Sequence, residues 1–271
     1  TTAICECGFS TNETHNTVFT DYLEQDFTNG KVDGWIPQEY NVSQQDARGP
    51  YGKQAHPENV VPTSQGLELW VRPSHIENKT IPMAEVASKR TDMLFGSFRI
   101  RARMSGVNGT CGAFFWFWNN TQEIDMEFLS RQFSQSNTAP VNLVIQSPAS
   151  ELAGFDASKT PGFDNHLLPF RPDLDFHEYR FDWIPGKVSF YADNVWLKDM
   201  TVDIPDTAGH VVLNHWSNGD KYWSGGPPEQ DASMLVTHAA MYFNSSDKNM
   251  LALHKKQCKK RDSSKICVIP T

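Results

Sequence analysis

Glu123, Asp125 and Glu127 stand at i, i+2 and i+4 in the run Gln122-Glu123-Ile124-Asp125-Met126-Glu127-Phe128. Strand side chains alternate between faces, so as a β-strand this run puts all three carboxylates on one side and Ile124 and Met126 on the other. Three acids in line, with no basic residue among them, repel one another and weaken a strand whose task is only structural. They suit a reaction in which one carboxyl protonates an oxygen while another attacks a neighbouring carbon. The bland alternative is an exposed acidic face paired with bases of a neighbouring strand, for which Arg99, Arg101 and Arg103 are candidates.

The elements around this run are predicted to be strands as well. Phe98, Ile100, Ala102 and Met104 alternate with the three arginines, Leu67, Leu69 and Val71 alternate within 66–71, and 113–118 is almost wholly aromatic before the turn Asn119-Asn120-Thr121. Residues 179–184, Pro185-Gly186 and 187–191 read as strand, turn, strand. Helical periodicity is confined to 249–256, whereas 29–62 and 146–172 read as loops. No repeat of fixed period and no interdomain linker is visible. The expectation is one all-β domain over 1–271, a jelly-roll sandwich of two antiparallel sheets with a substrate cleft.

A chain of 271 residues fits one large sandwich, and its formal charge of −8 lacks the basic footprint that binding to nucleic acid or an anionic membrane requires. No run of 18 apolar residues is present, and the start at Thr1-Thr2-Ala3 carries no signal-like segment. Six N-x-[ST] sequons, at Asn12, Asn41, Asn78, Asn108, Asn119 and Asn244, point to a secreted, glycosylated protein whose signal has been removed. Of the five cysteines, Cys258 and Cys267 are expected to close the basic loop Lys259-Lys260-Arg261 as a disulfide. Cys5 and Cys7 lie too close together to pair with each other, and Cys111 is expected to be a free, buried thiol.

Sugar rings have apolar C–H faces that stack on aromatic side chains, so the eight Trp matter for function. Trp116, Trp118, Trp183, Trp216 and Trp223 are candidates for substrate contact, with core packing claiming about half of the aromatics. Within 113–118, Phe115 and Phe117 share one face and Phe114, Trp116 and Trp118 the other; the sequence leaves open which set faces a groove. Trp216 and Trp223 sit in polar, Gly-rich surroundings. His177, ahead of a strand, is a candidate sugar partner, and His215 is similar.

The pattern E-[IL]-D-x-E-F resembles glycoside hydrolase family 16. So do Phe95-Gly96-Ser97-Phe98, the run from Phe176 to Trp183, Phe190-Tyr191-Ala192-Asp193 and Asn214-His215-Trp216-Ser217-Asn218-Gly219, in the same order over 95–244. That family includes lichenases, laminarinases, xyloglucan-active enzymes and fungal cell-wall transglycosylases on a concanavalin A-like jelly roll. The resemblance implies that Glu123 is the nucleophile, Glu127 the general acid/base and Asp125 the acid between them, with Asp125 helping to keep Glu127 protonated. It also implies a secreted, fungal-type monomer acting on polysaccharide without a cofactor or metal. Some relatives hold a cation through a last-strand aspartate, where this chain has His238. The unbulged spacing is similar to the lichenase, xyloglucan-active and transglycosylase branches, although Gln122 stands where Asp often precedes the nucleophile.

Residues i and i+4 of a flat strand stand ~13 Å apart at Cα, whereas a retaining pair needs carboxyls ~5–5.5 Å apart. Glu123 and Glu127 must therefore lean inward over Asp125. The expected activity is endo-hydrolysis of mixed-linkage β-1,3-1,4-glucan or β-1,3-glucan through a covalent intermediate. The alternatives are glucan or chitin transglycosylation on the same site, or a carbohydrate-binding jelly roll without catalysis.

Overall fold

The alternation of Phe98, Ile100 and Ala102 with three arginines gives a strand with one dry face. It runs from Met93 to Arg103 in the computed structural model, which describes residues 5–14, 17–133, 136–259 and 262–269. Positions 1–3, Lys260, Arg261, Pro270 and Thr271 lie outside the described residues. The strands, in chain order, are β1 (Phe9–Ser10), β2 (Val18–Phe19), β3 (Asp21–Asp26), β4 (Trp35–Pro37), β5 (Tyr40–Val42), β6 (Gly52–Ala55) and β7 (Val60–Thr63). Next come β8 (Gly66–Val71), β9 (Thr80–Ser88), β10 (Met93–Arg103), β11 (Cys111–Asn119), β12 (Gln122–Leu129), β13 (Ala139–Gln146) and β14 (Phe163–Leu168). The last are β15 (His177–Ile184), β16 (Lys187–Ala192), β17 (Val195–Met200), β18 (His210–Trp216), β19 (Ala232–Ser245) and β20 (Cys267–Val268); the helices are α1 (Pro148–Leu152) and α2 (Lys248–Gln257).

Two large sheets form the jelly-roll sandwich. One orders β17-β16-β15-β10-β19-β8-β7, with β3 also on β19; the other orders β14-β13-β12-β11-β18-β9-β6-β5, with β4 also on β9. Pairing is antiparallel in both except between β6 and β9. The core lies between the facing strands, where Trp116 and Trp183 meet with ring centroids 4.4 Å apart and Phe181 sits 5.0 Å from Phe114 and 5.2 Å from Phe98. Each such ring removes 150–250 Å² from water, worth about 4–6 kcal/mol at ~25 cal/mol per Å². Gly96 is required on β10 because a Cβ there would lie 2.4 Å from the Tyr242 carbonyl of β19.

The hairpin expected around Pro185-Gly186 forms β15 and β16, with Ile184 opposite Lys187. The two segments read as loops are more ordered than their sequences suggest. Residues 29–62 hold β4 to β7, and 146–172 hold α1 and the edge strand β14. These strands are short or at an edge, so they carry too few alternating residues to show a period of two.

The cysteine pairing also differs from expectation. Cys5 bonds Cys267 and Cys7 bonds Cys258, while Cys111 is the free, buried cysteine. Parallel pairing of β1 with β20 brings the two ends of the chain together, Phe9 opposite Cys267. Each N-terminal cysteine therefore meets a C-terminal one, and Cys258 and Cys267 do not bond each other. Among the described residues no cluster of His, Cys, Asp and Glu is arranged to hold a metal, and His238 pairs with Glu24 at 3.1 Å.

Candidate active site

The carboxylate run is β12, the third strand from the β14 edge, between β13 and β11, and its register is unbroken where the acids stand. Pairs run from Leu129 opposite Cys111 to Glu123 opposite Phe117 on one side, and from Glu123 opposite Gln146 to Glu127 opposite Asn142 on the other. Ile124 and Met126 are fully buried in the core. The three acids thus point out of the sandwich, into a cleft of about 960 Å³ on the outer face of the nine-stranded sheet.

Cross-strand register sorts the floor of this cleft into rows. From β9 to β14, one row reads Glu85, Asn214, Ala113, Glu127, Asn142 and Asn165. The next reads Ala87, Val212, Phe115, Asp125, Val144 and Phe163; the third, from β18 to β13, reads His210, Phe117, Glu123 and Gln146. Glu127 and Glu123 stand in polar rows, and Asp125 stands between them in an apolar one.

That arrangement determines the electrostatics. Burial pushes the Asp125 carboxyl well above its ordinary value, and the charges of Glu123 and Glu127 and a hydrogen bond shared with Glu123 push it the same way. Burial also raises Glu123, up to about 7, against the hydrogen bond from Asp125 and the positive charges of Lys53 and Arg48. Glu127 is raised by burial, opposed by hydrogen bonds from the Trp223 indole and the Cys111 thiol. The proton shared by the inner pair therefore resides on Asp125, which donates it to the Glu123 carboxylate. Burial is the largest cause of the raised Glu127 carboxyl, while Asp125, between the two glutamates, donates its hydrogen bond to Glu123.

The bland alternative fails on topology. Arg99, Arg101 and Arg103 belong to β10 in the opposite sheet, where Arg99 lies 3.7 Å from Glu178. The cations that do reach the acids are Lys53 on β6 and Arg48 just before it.

The aromatic candidates divide. Trp216 and Trp223 line the cleft. Trp116 and Trp183 do not: both are fully buried between the sheets, with Trp116 donating to the Met93 carbonyl at 3.2 Å and Trp183 to that of Pro205 at 3.0 Å. Trp118 is exposed but follows Trp116 on the core-side parity of β11, outside the residues that line the cleft. The groove aromatics of β11 are Phe115 and Phe117. His177 belongs to the opposite sheet, bonded to Asp193 at 2.6 Å and stacked on Phe170, so it holds a turn and lies outside the residues that line the carboxylate cleft. His215 is a core histidine whose Nδ1 lies 2.8 Å from the Leu69 carbonyl.

Several cleft residues were not singled out from the sequence. Asn142 and Asn214 are buried polar residues within mostly apolar strands, a signal that was legible. Glu85 accepts from Tyr40 at 2.7 Å and from Asn214 at 3.2 Å. Arg131 donates to the Trp223 carbonyl at 2.6 Å and to that of Tyr222, and Asn218 donates to Ala47 at 2.7 Å. These bonds tie the Trp223 loop to β12 and to the segment that carries Arg48.

A jelly roll with a row of acids on the outer face of one sheet, in an aromatic cleft, defines a carbohydrate-active class of sandwich. Residues 51–240 match the Glycosyl hydrolases family 16, and the chain belongs to that family. It is 28% identical over 138 residues to a beta-glucanase of Paenibacillus macerans, a match covering 48% of this chain and 52% of that one. The chain thus spans about half the length of the curated relatives it matches. A lichenase derived from a mouse hindgut metagenome shares the fold at TM-score 0.63 and 18% identity, covering 81% of this chain and 98% of that one. The Crh5 transglycosylase in complex with NAG shares it at TM-score 0.61 and 16% identity, over 84% and 86%.

Proposed function

We propose that the chain is a retaining endo-β-glucanase whose nucleophile is Glu123 and whose general acid/base is Glu127. The observation that carries this reading is the single row of outward carboxylates on β12, flanked by Trp216 and Trp223 in one cleft. Glu123 attacks the anomeric carbon as the glycosidic C–O bond breaks, and Glu127 gives its proton to the leaving oxygen. Glu127 then takes a proton from water, which attacks the glycosyl ester and frees Glu123. Asp125 keeps its proton throughout and holds the Glu123 carboxylate by hydrogen bond. Mixed-linkage β-1,3-1,4-glucan, as named for the lichenase neighbour, is the first substrate, and β-1,3-glucan the second.

A sugar hydroxyl in place of water gives transglycosylation, which the apolar walls Phe115, Val144, Val212 and Phe163 favour by limiting water around the acids. A panel of defined glucans, xyloglucan and chitin oligomers, with products sized for both cleavage and transfer, separates the two outcomes. Glu123→Gln is expected to bind the preferred oligosaccharide and to release no product; a variant with wild-type turnover refutes the assignment. The proposal includes secretion as a glycosylated monomer, supported by the two disulfides and by the exposure of Asn12, Asn41, Asn78, Asn108 and Asn119, with Asn244 half-buried. Loss of mass on enzymatic deglycosylation of the natively produced protein tests it.

A further inference from the structure

Two groups near Glu127 have no part in the two displacements. The Cys111 thiol lies 3.4 Å from Glu127 Oε1, in hydrogen-bonding position, and is fully buried. The Lys53 ammonium lies 4.2 Å from the centre of the Trp216 ring. They arrive independently, Cys111 on β11 and Lys53 on β6, and Trp216 links them, opposite Cys111 in the sheet and beneath the Lys53 ammonium. Cys111 stands opposite Trp216 on one side and Leu129 on the other, forming the row next to that of Asn214, Ala113 and Glu127. Cys111 and Trp216, on whose ring the Lys53 ammonium sits, thus lie beyond Glu127 on the side of β12 away from Glu123.

We propose that Cys111 and Lys53 are positioning residues for the Glu127 carboxyl, the thiol fixing Oε1 and the ammonium, seated on Trp216, supplying the opposite charge. The inference rests on the reading of Glu127 as the proton-shuttling group. A carboxyl that gives up a proton in one step and recovers it in the next needs its charged form supported without a full ion pair. A weak S–H donor and a cation held on the Trp216 ring, with no direct ion pair to the carboxyl, give that intermediate support. The other charged or titratable groups that face Glu127 are Glu123 and Asp125 on its own strand, Glu85 on β9, Arg48 before β6 and Arg131 after β12; the Trp223 indole also donates to it. Of the three carboxylates of β12 the Cys111 thiol hydrogen-bonds Glu127, whereas the charge of Lys53 also bears on Glu123 and Glu85.

This difference gives each residue its own signature. In Cys111→Val the carboxylate form of Glu127 loses a donor, so the basic limb of kcat/KM moves to higher pH while the acid limb stays. In Lys53→Met both limbs move to higher pH, because Glu123 also loses support. Cys111→Ser keeps a donor and restores the wild-type basic limb. Each loss is expected to lower kcat/KM by roughly threefold to tenfold, the worth of one modest hydrogen bond. Titration of the Glu127 carboxyl carbon by NMR in the same proteins gives the same answer without turnover, with melting temperature as the control for folding. A Glu127 titration that is the same in wild type, Cys111→Val and Lys53→Met overturns the proposal even if glucan is cleaved. A wild type that cleaves no glucan overturns the functional reading, and the NMR titration still decides the roles of Cys111 and Lys53.

Discussion

Asp125 offers the sharpest test of how the carboxylate row works, because one substitution keeps its donor in place and another removes it. Its side chain lies in an apolar row between Phe115 and Val144 and is 5% exposed, so it is held neutral and donates to Glu123. Asp125→Asn keeps an N–H donor in the same place; Asp125→Ala removes it and leaves the Glu123 carboxylate in the same dry surroundings. A hydrogen bond to a charged group is worth about 1.5–3 kcal/mol, or roughly 10- to 150-fold in an equilibrium. At 1.36 kcal/mol per unit this becomes an upward displacement of about 1–2 pH units in the acid limb of kcat/KM, which in the proposed mechanism reports ionisation of Glu123 in the free enzyme. The wild-type limb is expected near 7, the value to which burial raises Glu123. The assay is kcat/KM on a soluble β-glucan from acid to alkaline pH for the three proteins. The reasoning is refuted if Asp125→Ala keeps the wild-type acid limb, or if Asp125→Asn moves it as far as Asp125→Ala does.

Other outcomes follow from the same arrangement. Glu123 and Asp125 have folded-state values raised above their unfolded ones, so the stability they leave intact at acid pH is lost as pH rises through the folded value, near 7 for Glu123. The wild-type melting temperature should therefore fall on going from mildly acid to alkaline pH, and Glu123→Gln should flatten that fall; parallel curves for the two proteins sink the idea. Trp116→Ala opens a cavity between the sheets and should cost about 3–5 kcal/mol in denaturant unfolding. Trp223→Ala, on the cleft, should change stability far less while raising KM for oligosaccharides, and equal losses of stability would contradict the division into core and cleft.

The carboxylate face, the β15–β16 hairpin and the cleft position of Trp216 and Trp223 were legible because each rests on local information: strand parity, a Pro-Gly turn, a polar Gly-rich context. What joins distant segments was not. Parallel pairing of β1 with β20 sets the disulfides, and nothing near Lys53 in the sequence announces that β6 will add to the edge of β9. Recognising the family placed the three acids but did not sort the tryptophans, for a reason that lies in one residue. Asn119 stands opposite Gln122 across the two-residue turn Asn120-Thr121. Counting back evenly from there sets Trp118 against Glu123, which would carry Trp116 and Phe114 onto the carboxylate face. The strand instead has a register shift between Phe117 and Asn119, so Phe117 is the residue opposite Glu123. A slip of one residue exchanges the two faces of a strand. The shift therefore sends Trp116 into the core against Trp183 and leaves Phe115 and Phe117 beside the acids. Phe115 opposite Asp125 is half of the apolar row that keeps that carboxyl neutral. The irregularity that hid the tryptophans from sequence reasoning thus also helps create the electrostatics of the site.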